Sequence, residues 1–209
     1  MTVTITRLYA DYSTASRAVS ALEAAGVPST DVSLVASNAD NWYSQPAAGR
    51  SDKMASQHDG SVTGAETGAG VGTAVGGAAG LLAGLGLLAI PGVGPVVAAG
   101  WLVATAVGAV AGAATGGLIG ALTGAGVSAD DAHVYAEGVR RGGSLVTARV
   151  PDADKSRLES ILDHQGSIDV HKRGEAYRSA GWKTFDDKLP PYTPDQVKQD
   201  RGLYRRDVM

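Results

Sequence analysis

Hydrophobic positions follow a two-residue rhythm at the start of the chain. Residues 2–8 are β-branched and partly alternating, with Val3 and Ile5 on one face, which predicts a half-buried strand. The rhythm then changes. Ala15, Ala18, Val19, Leu22 and Ala25 recur at three-four spacing, Asp11 or Ser13 stands at the N-cap position, and Gly26 and Pro28 mark the end, so a helix follows. Residues 31–36 alternate again, with Val32 and Leu34 on one side. The first 37 residues therefore read as strand, helix, strand.

A similar order returns near the other end. Ser128 with Asp131 three residues on opens a helix carrying Ala132, Tyr135, Ala136 and Val139 on one face, ended by Gly142 and Gly143. Residues 145–150 predict a strand. Asp152 caps a helix with Leu158, Ile161 and Leu162, Gly166 closes it, and residues 168–171 predict a last strand. The two strand-helix-strand units form a weak internal repeat. Together they predict an α+β fold: a ferredoxin-like βαββαβ sandwich assembled from both chain ends, with four strands and helices on one face.

Between the halves lies a segment of different character. Thr67 to Ala129 contains no Asp, Glu, Lys, Arg or His. Two apolar stretches, 68–90 and 96–124, flank the turn IPGVGP, whose Pro91, Gly92, Gly94 and Pro95 interrupt any helix. Gly68, Gly72, Gly76, Gly80 and Gly84 recur every four residues, as do Gly108, Gly112, Gly116, Gly120 and Gly124. Period four on a helix makes a smooth stripe that admits a second backbone, so the expectation is a long glycine-zipper helical hairpin over 67–127. Each stretch would reach ~33 to 43 Å at about 1.5 Å per residue, enough for a bilayer core. Glycine within a helix costs about 1 kcal/mol against alanine, so the rows require close packing, either in a membrane or in an oligomer core.

Residues 38–66 show neither period and read as a linker, with Trp42 and Tyr43 as either a membrane-interface anchor or a cover for the neighbouring domain edge. The tail over 173–209 carries Tyr177, Trp182, Phe185, Tyr192 and Tyr204 among charges. It reads as a strap onto its own domain or a neighbouring subunit, with a short helix from Pro194.

Net charge is −3, which gives no electrostatic case for nucleic-acid binding. Cysteine is absent, removing disulfides and thiolate chemistry. The run GAGVG lacks the GxxxxGK[ST] of a phosphate loop. Asp163, His164, Asp169 and His171 lie close together but lack a recognised ligand spacing, so solvated turn residues are expected rather than a metal site. Neither catalytic nor cofactor-binding residues emerge. The N-terminus MTVTITRLYADYS has no signal-peptide pattern, so the charged parts are expected in the cytoplasm.

The stretches RLYADYSTASRAVSALEAAGVPSTDVSLVAS, GAGVGTAVGGAAGLLAGLGLLAIPGVGPVVAAG and GVSADDAHVYAEGVRRGGSLVTARV resemble the bacterial heat-induced general stress protein family of the 17M type. That resemblance implies a stress-associated protein and carries over no catalytic residues; the tail beyond about 173 lies outside the shared pattern. The combined expectation is a non-enzymatic protein of the inner membrane, with both termini in the cytoplasm. Its hairpin would insert among lipids and self-associate while the ferredoxin-like part assembles or senses. The alternatives are a cytoplasmic homo-oligomer that buries its hairpins in a shared core, and a small-ligand regulatory module.

Overall fold

The computed structural model describes residues 1–43, 85–90, 92–110 and 117–204. Among them are five strands and seven α-helices, a mixed α and β architecture. The strands are β1 (Thr2–Tyr9), β2 (Val32–Ser37), β3 (Gly86–Ile90), β4 (Gly94–Gly100) and β5 (Ser144–Pro151). The helices are α1 (Tyr12–Ala24), α2 (Trp101–Val110), α3 (Gly117–Gly124), α4 (Ala129–Arg140), α5 (Lys155–His164), α6 (Val170–Ser179) and α7 (Pro194–Tyr204).

The strands form one sheet in the order β1-β5-β2-β4-β3, antiparallel throughout. Register sets the two faces. Ile5 pairs with Ala148 and Leu34 with Val146, and these residues share one apolar cluster with Ala15, Val19 and Leu22 of α1 and Leu158 and Leu162 of α5. Leu8 pairs with Leu145, and both pack with Val35, Val96, Leu102 of α2, Leu118 and Leu122 of α3, and Tyr135 and Val139 of α4. The sheet is therefore covered on both faces, in three layers, not on one face as the sequence suggested. Every residue of β2 is buried as a result.

Local chemistry explains the elements that the pattern anticipated. The Asp11 side chain accepts from Thr14 N at 2.8 Å to start α1, and Gly26 at φ +96 ends that region. Ser128 Oγ accepts from Asp131 N at 3.1 Å to start α4, and Gly142 at φ +99 follows its end. Thr193 and Gln196 cap α7 reciprocally, with bonds of 2.9 and 3.3 Å.

Two segments depart from expectation. The first is residues 85–90 and 96–100, assigned above to the inner ends of two zipper helices on either side of the turn. They form the β3–β4 hairpin instead, closed by Val93 N donating to Ile90 O at 3.1 Å, with Gly92 at φ +71 and Gly94 at φ +99. Val96 and Val97 are both fully buried on opposite faces, so this stretch has no polar side, and an apolar run without a period fits strand and helix alike. Gly100, at φ +98, sits against Val32 O and Ser33, where a side chain would clash, and there the chain turns from β4 into α2. Ser33 Oγ accepts from Leu102 N at 2.9 Å to start that helix. The first zipper row, Gly68 to Gly84, together with Pro91, Gly112 and Gly116, lies outside the described residues. Gly108 lies in α2, while Gly120 and Gly124 lie in α3.

The second departure is the strand expected over 168–171. Only Ile168 bridges β1, its N–H donating to Leu8 O at 2.7 Å. Asp169 then accepts from His171 N and Lys172 N at 2.9 and 3.1 Å, and that cap starts α6. Once the carboxylate holds the amides two and three residues on, they are unavailable to a ladder.

Trp42 and Tyr43 cover the domain edge. Trp42 stacks on Tyr12 at 4.4 Å, the Tyr43 hydroxyl donates to Leu85 O at 3.2 Å, and the Asn38 amide clamps the Tyr43 backbone at both ends. Residues 44–66 of the expected linker lie outside the described residues.

Candidate functional site

The densest charged arrangement among the described residues stands at the C-terminal end of α4. Its position depends on a glycine. A Cβ at Gly138 would meet Leu8 Cδ2 at 2.6 Å, so only glycine lets α4 press this closely on the sheet. The preceding residue, Glu137, is carried down with it and is 0% exposed.

A buried carboxylate requires partners, and the next turn supplies two. Arg140 binds Glu137 through both oxygens, Nε to Oε2 and Nη2 to Oε1, each at 2.9 Å. Arg141 Nε donates to Oε1 at 2.6 Å. Spacings of three and four residues put both guanidiniums on the face of the glutamate. Burial works against the charge of Arg141, but the hydrogen bond and attraction of Glu137 outweigh it and hold the guanidinium above its ordinary value.

One carboxylate between two cations leaves a positive excess, which the C-terminal tail answers. Arg141 Nη1 lies 3.3 Å from Asp200 Oδ2, and Arg140 Nη1 donates to Pro190 O at 3.3 Å. The Tyr192 ring covers both guanidiniums, with centroids 4.7 and 5.4 Å away, and the Tyr177 ring lies 4.2 Å from Arg141. Burial raises the Asp200 carboxyl above its usual range despite Arg141. The raised value of Arg141 is due to Glu137 and says little about the Asp200 pair, where burial takes more than the contact returns.

The same tail crosses the β3–β4 turn. A Cβ on Gly92 would fall 2.5 Å from Asp187 Cα, and one on Gly94 would fall 2.5 Å from Pro191 Cβ. Phe185 inserts beside Val93 in the cluster of that sheet face. Of the turn residues singled out in the sequence, Gly92 and Gly94 therefore form the bare floor beneath the tail, and Pro95 begins the body of β4 by pairing with Ala89. The zipper assignment behaves differently at Gly124, where an added Cβ would meet nothing within 4 Å.

The acid and histidine residues considered as metal ligands take separate roles. Asp163 binds Arg7 at 2.7 Å and Ser167 at 2.7 Å, Asp169 caps α6, His164 Nδ1 lies 2.6 Å from Ser160 O, and His171 lies 3.6 Å from Asp131. Arg7, Glu159, Asp163 and His164 line an open groove in which Arg7 is paired with both carboxylates. Among the described residues no group of three His, Asp or Glu converges as a metal site would require.

Sequence reasoning singled out Tyr192 only as one of the strap aromatics and missed Glu137, Arg140, Arg141 and Asp200. The available signal was the run Glu-Gly-Val-Arg-Arg-Gly-Gly at the end of an apolar-faced helix, where charges at three-four spacing meet glycines that permit burial. In this arrangement Glu137 offsets part of the charge of the two guanidiniums, and Nη1 of each points to a backbone or carboxylate acceptor in the tail. Comparison with known protein families, with curated proteins and with solved structures finds no match for this chain.

Proposed function

We propose that the chain is a non-enzymatic assembly protein whose α/β domain associates with further copies of itself through the open edge of its sheet. The observation that carries this is the contrast between the two edges. β1 is protected at one end by the Ile168 bridge and carries Arg7, which is held by Asp163 and Glu159. β3, at the other edge, is Gly-Leu-Leu-Ala-Ile, without a charge or an internal proline, and Leu87 is 43% exposed. Among the described residues no strand pairs beyond β3. Such an edge invites strand pairing unless it is guarded, and two copies of one uncharged strand meet without repulsion.

Assembly is preferred over membrane insertion because of where the second apolar stretch goes. Val96 to Gly100 lies within the sheet, and Leu102, Leu118 and Leu122 pack on it. No helix among the described residues is long and apolar enough to cross a membrane. The resemblance to stress-associated proteins of the 17M type is compatible with a structural role of this kind.

The core of the domain is proposed to be a ferredoxin-like unit that has been extended. Ile168, β1, β5 and β2 lie in the order of that sandwich, with the fourth strand reduced to a bridge, β3–β4 added beyond β2, and α2 to α4 added on the second face. The test of assembly is a β3 variant. Leu87→Lys places a charge on an exposed position and is expected to lower the oligomer mass without loss of helix or sheet signal by circular dichroism. An unchanged mass would remove β3 as the interface.

A further inference from the structure

We infer that the groove between the end of α4 and the β3–β4 turn is a peptide-recognition site for an acidic, proline-containing segment that runs into a short helix. In this chain it is filled in cis by residues 185–200, and it admits the same segment from a second copy. The groove is built from different residues than the β3 edge, and its occupation does not depend on assembly through that edge.

The tail is held as a docked peptide is held. Between Lys183 and Gln199 only Phe185 and Val197 are buried, at 9% and 0% exposure, while the intervening residues remain exposed or half-exposed. Two apolar anchors separated by a polar stretch therefore supply the packing, and the contacts between them are those by which proteins recognise peptides. Arg140 reads the Pro190 carbonyl, Tyr192 stacks over the arginine pair, and Asp200 meets Arg141.

The receiving surface is organised by residues outside the tail. Glu137 fixes both guanidiniums through bonds internal to the end of α4, which leaves Nη1 of each pointing to a tail acceptor. Gly92 and Gly94 supply a floor without side chains, at positive φ, so backbone such as that of Asp187 can lie directly on it. A site whose arginines are tied by Glu137, outside the tail, takes an identical segment from another copy with no new chemistry, which is the condition for exchange of an element between protomers.

The test uses the full chain with a site-specific protease sequence inserted after Gly181, cleaved in the folded state. A fluorescent synthetic peptide of residues 182–209 is then added in excess, and anisotropy and circular dichroism are followed. The expected result is that labelled peptide enters the folded body, is displaced by unlabelled peptide, and binds at least tenfold more weakly when it carries Tyr192→Ala or Phe185→Ala. These changes lie in the synthetic segment, so they leave folding of the body untouched. The inference is overturned if the cleaved body stays folded but takes up no peptide. It is equally overturned if cleavage unfolds the body, or if the peptide variants bind as well as the parent.

Discussion

Gly94 lies directly beneath Pro191, so near that a Cβ built on the glycine would stand 2.5 Å from the proline Cβ. The contact joins the hairpin turn, which sequence placed at the centre of an apolar block, to a tail that sequence placed apart from it. Gly94→Ala would meet both a φ of +99 and the Pro191 ring. A loss of about 1–3 kcal/mol is expected. In thermal unfolding that corresponds to a midpoint roughly 2–10 °C lower, with earlier proteolysis between residues 182 and 192.

Glu137 and its two arginines give the sharpest stability prediction. Glu137→Gln removes the charge that Arg140 and Arg141 share while leaving both in place. Breaking a buried ion pair from one side costs about 3–5 kcal/mol, far above the median for surface pairs. Urea denaturation is the appropriate measurement. A change under about 1 kcal/mol, the range of exposed pairs, would mean that the arginines relax toward solvent and that the cluster is not rigid.

The elements that pattern reading finds share one property. α1 and α5 each have one apolar side and a recognisable end signal, and β1, β2 and β5 alternate in residue type, so these elements are encoded as a period. Residues 96–99 of β4 are buried on both faces of the sheet, and there the period vanishes. The strand expected after Gly166 was lost to a single side chain, because Asp169 offers the amides of His171 and Lys172 a better partner than β1 does. The arginine site was legible only as residue types, since its tail acceptors Pro190 and Asp200 lie about 50 to 60 residues further along the chain.

Two aspartates respond to pH in opposite directions. Burial raises the Asp200 carboxyl above its ordinary value, with Arg141 opposing, so its contribution is fully present below the unfolded value and is lost as pH rises through the folded one. Lowering the pH from 7 toward about 4 is therefore expected to tighten the tail at this position, and Asp200→Asn should remove that dependence. For Asp163, the hydrogen bond from Arg7 holds the carboxyl below its ordinary value against burial. Its contribution is present above the unfolded value and disappears as pH falls through the folded one. Because that side chain is 50% exposed, Asp163→Asn should cost only about 0.2–1 kcal/mol at neutral pH. Thermal scans of both variants between about pH 3 and pH 7 give the comparison.

Glu23 offers a substitution in the stabilising direction. Among the described residues neither of its carboxylate oxygens has a hydrogen-bond partner, and burial raises the carboxyl. Ionised, it opposes folding, so stability linked to this group is lost as pH rises through its folded value. Glu23→Met at neutral pH is expected to gain a few tenths to about 1 kcal/mol, discounted for its nearness to solvent, and the gain should shrink toward about pH 4. Paired melting curves at the two pH values measure it.

Assembly through the open sheet edge is the central claim, and sedimentation equilibrium of the intact chain across a hundredfold dilution tests it most directly. The account predicts a particle of two or more chains that dissociates on dilution, with Leu87→Lys dissociating at higher concentration. A strictly monomeric mass throughout, equal for the parent and Leu87→Lys, would contradict it.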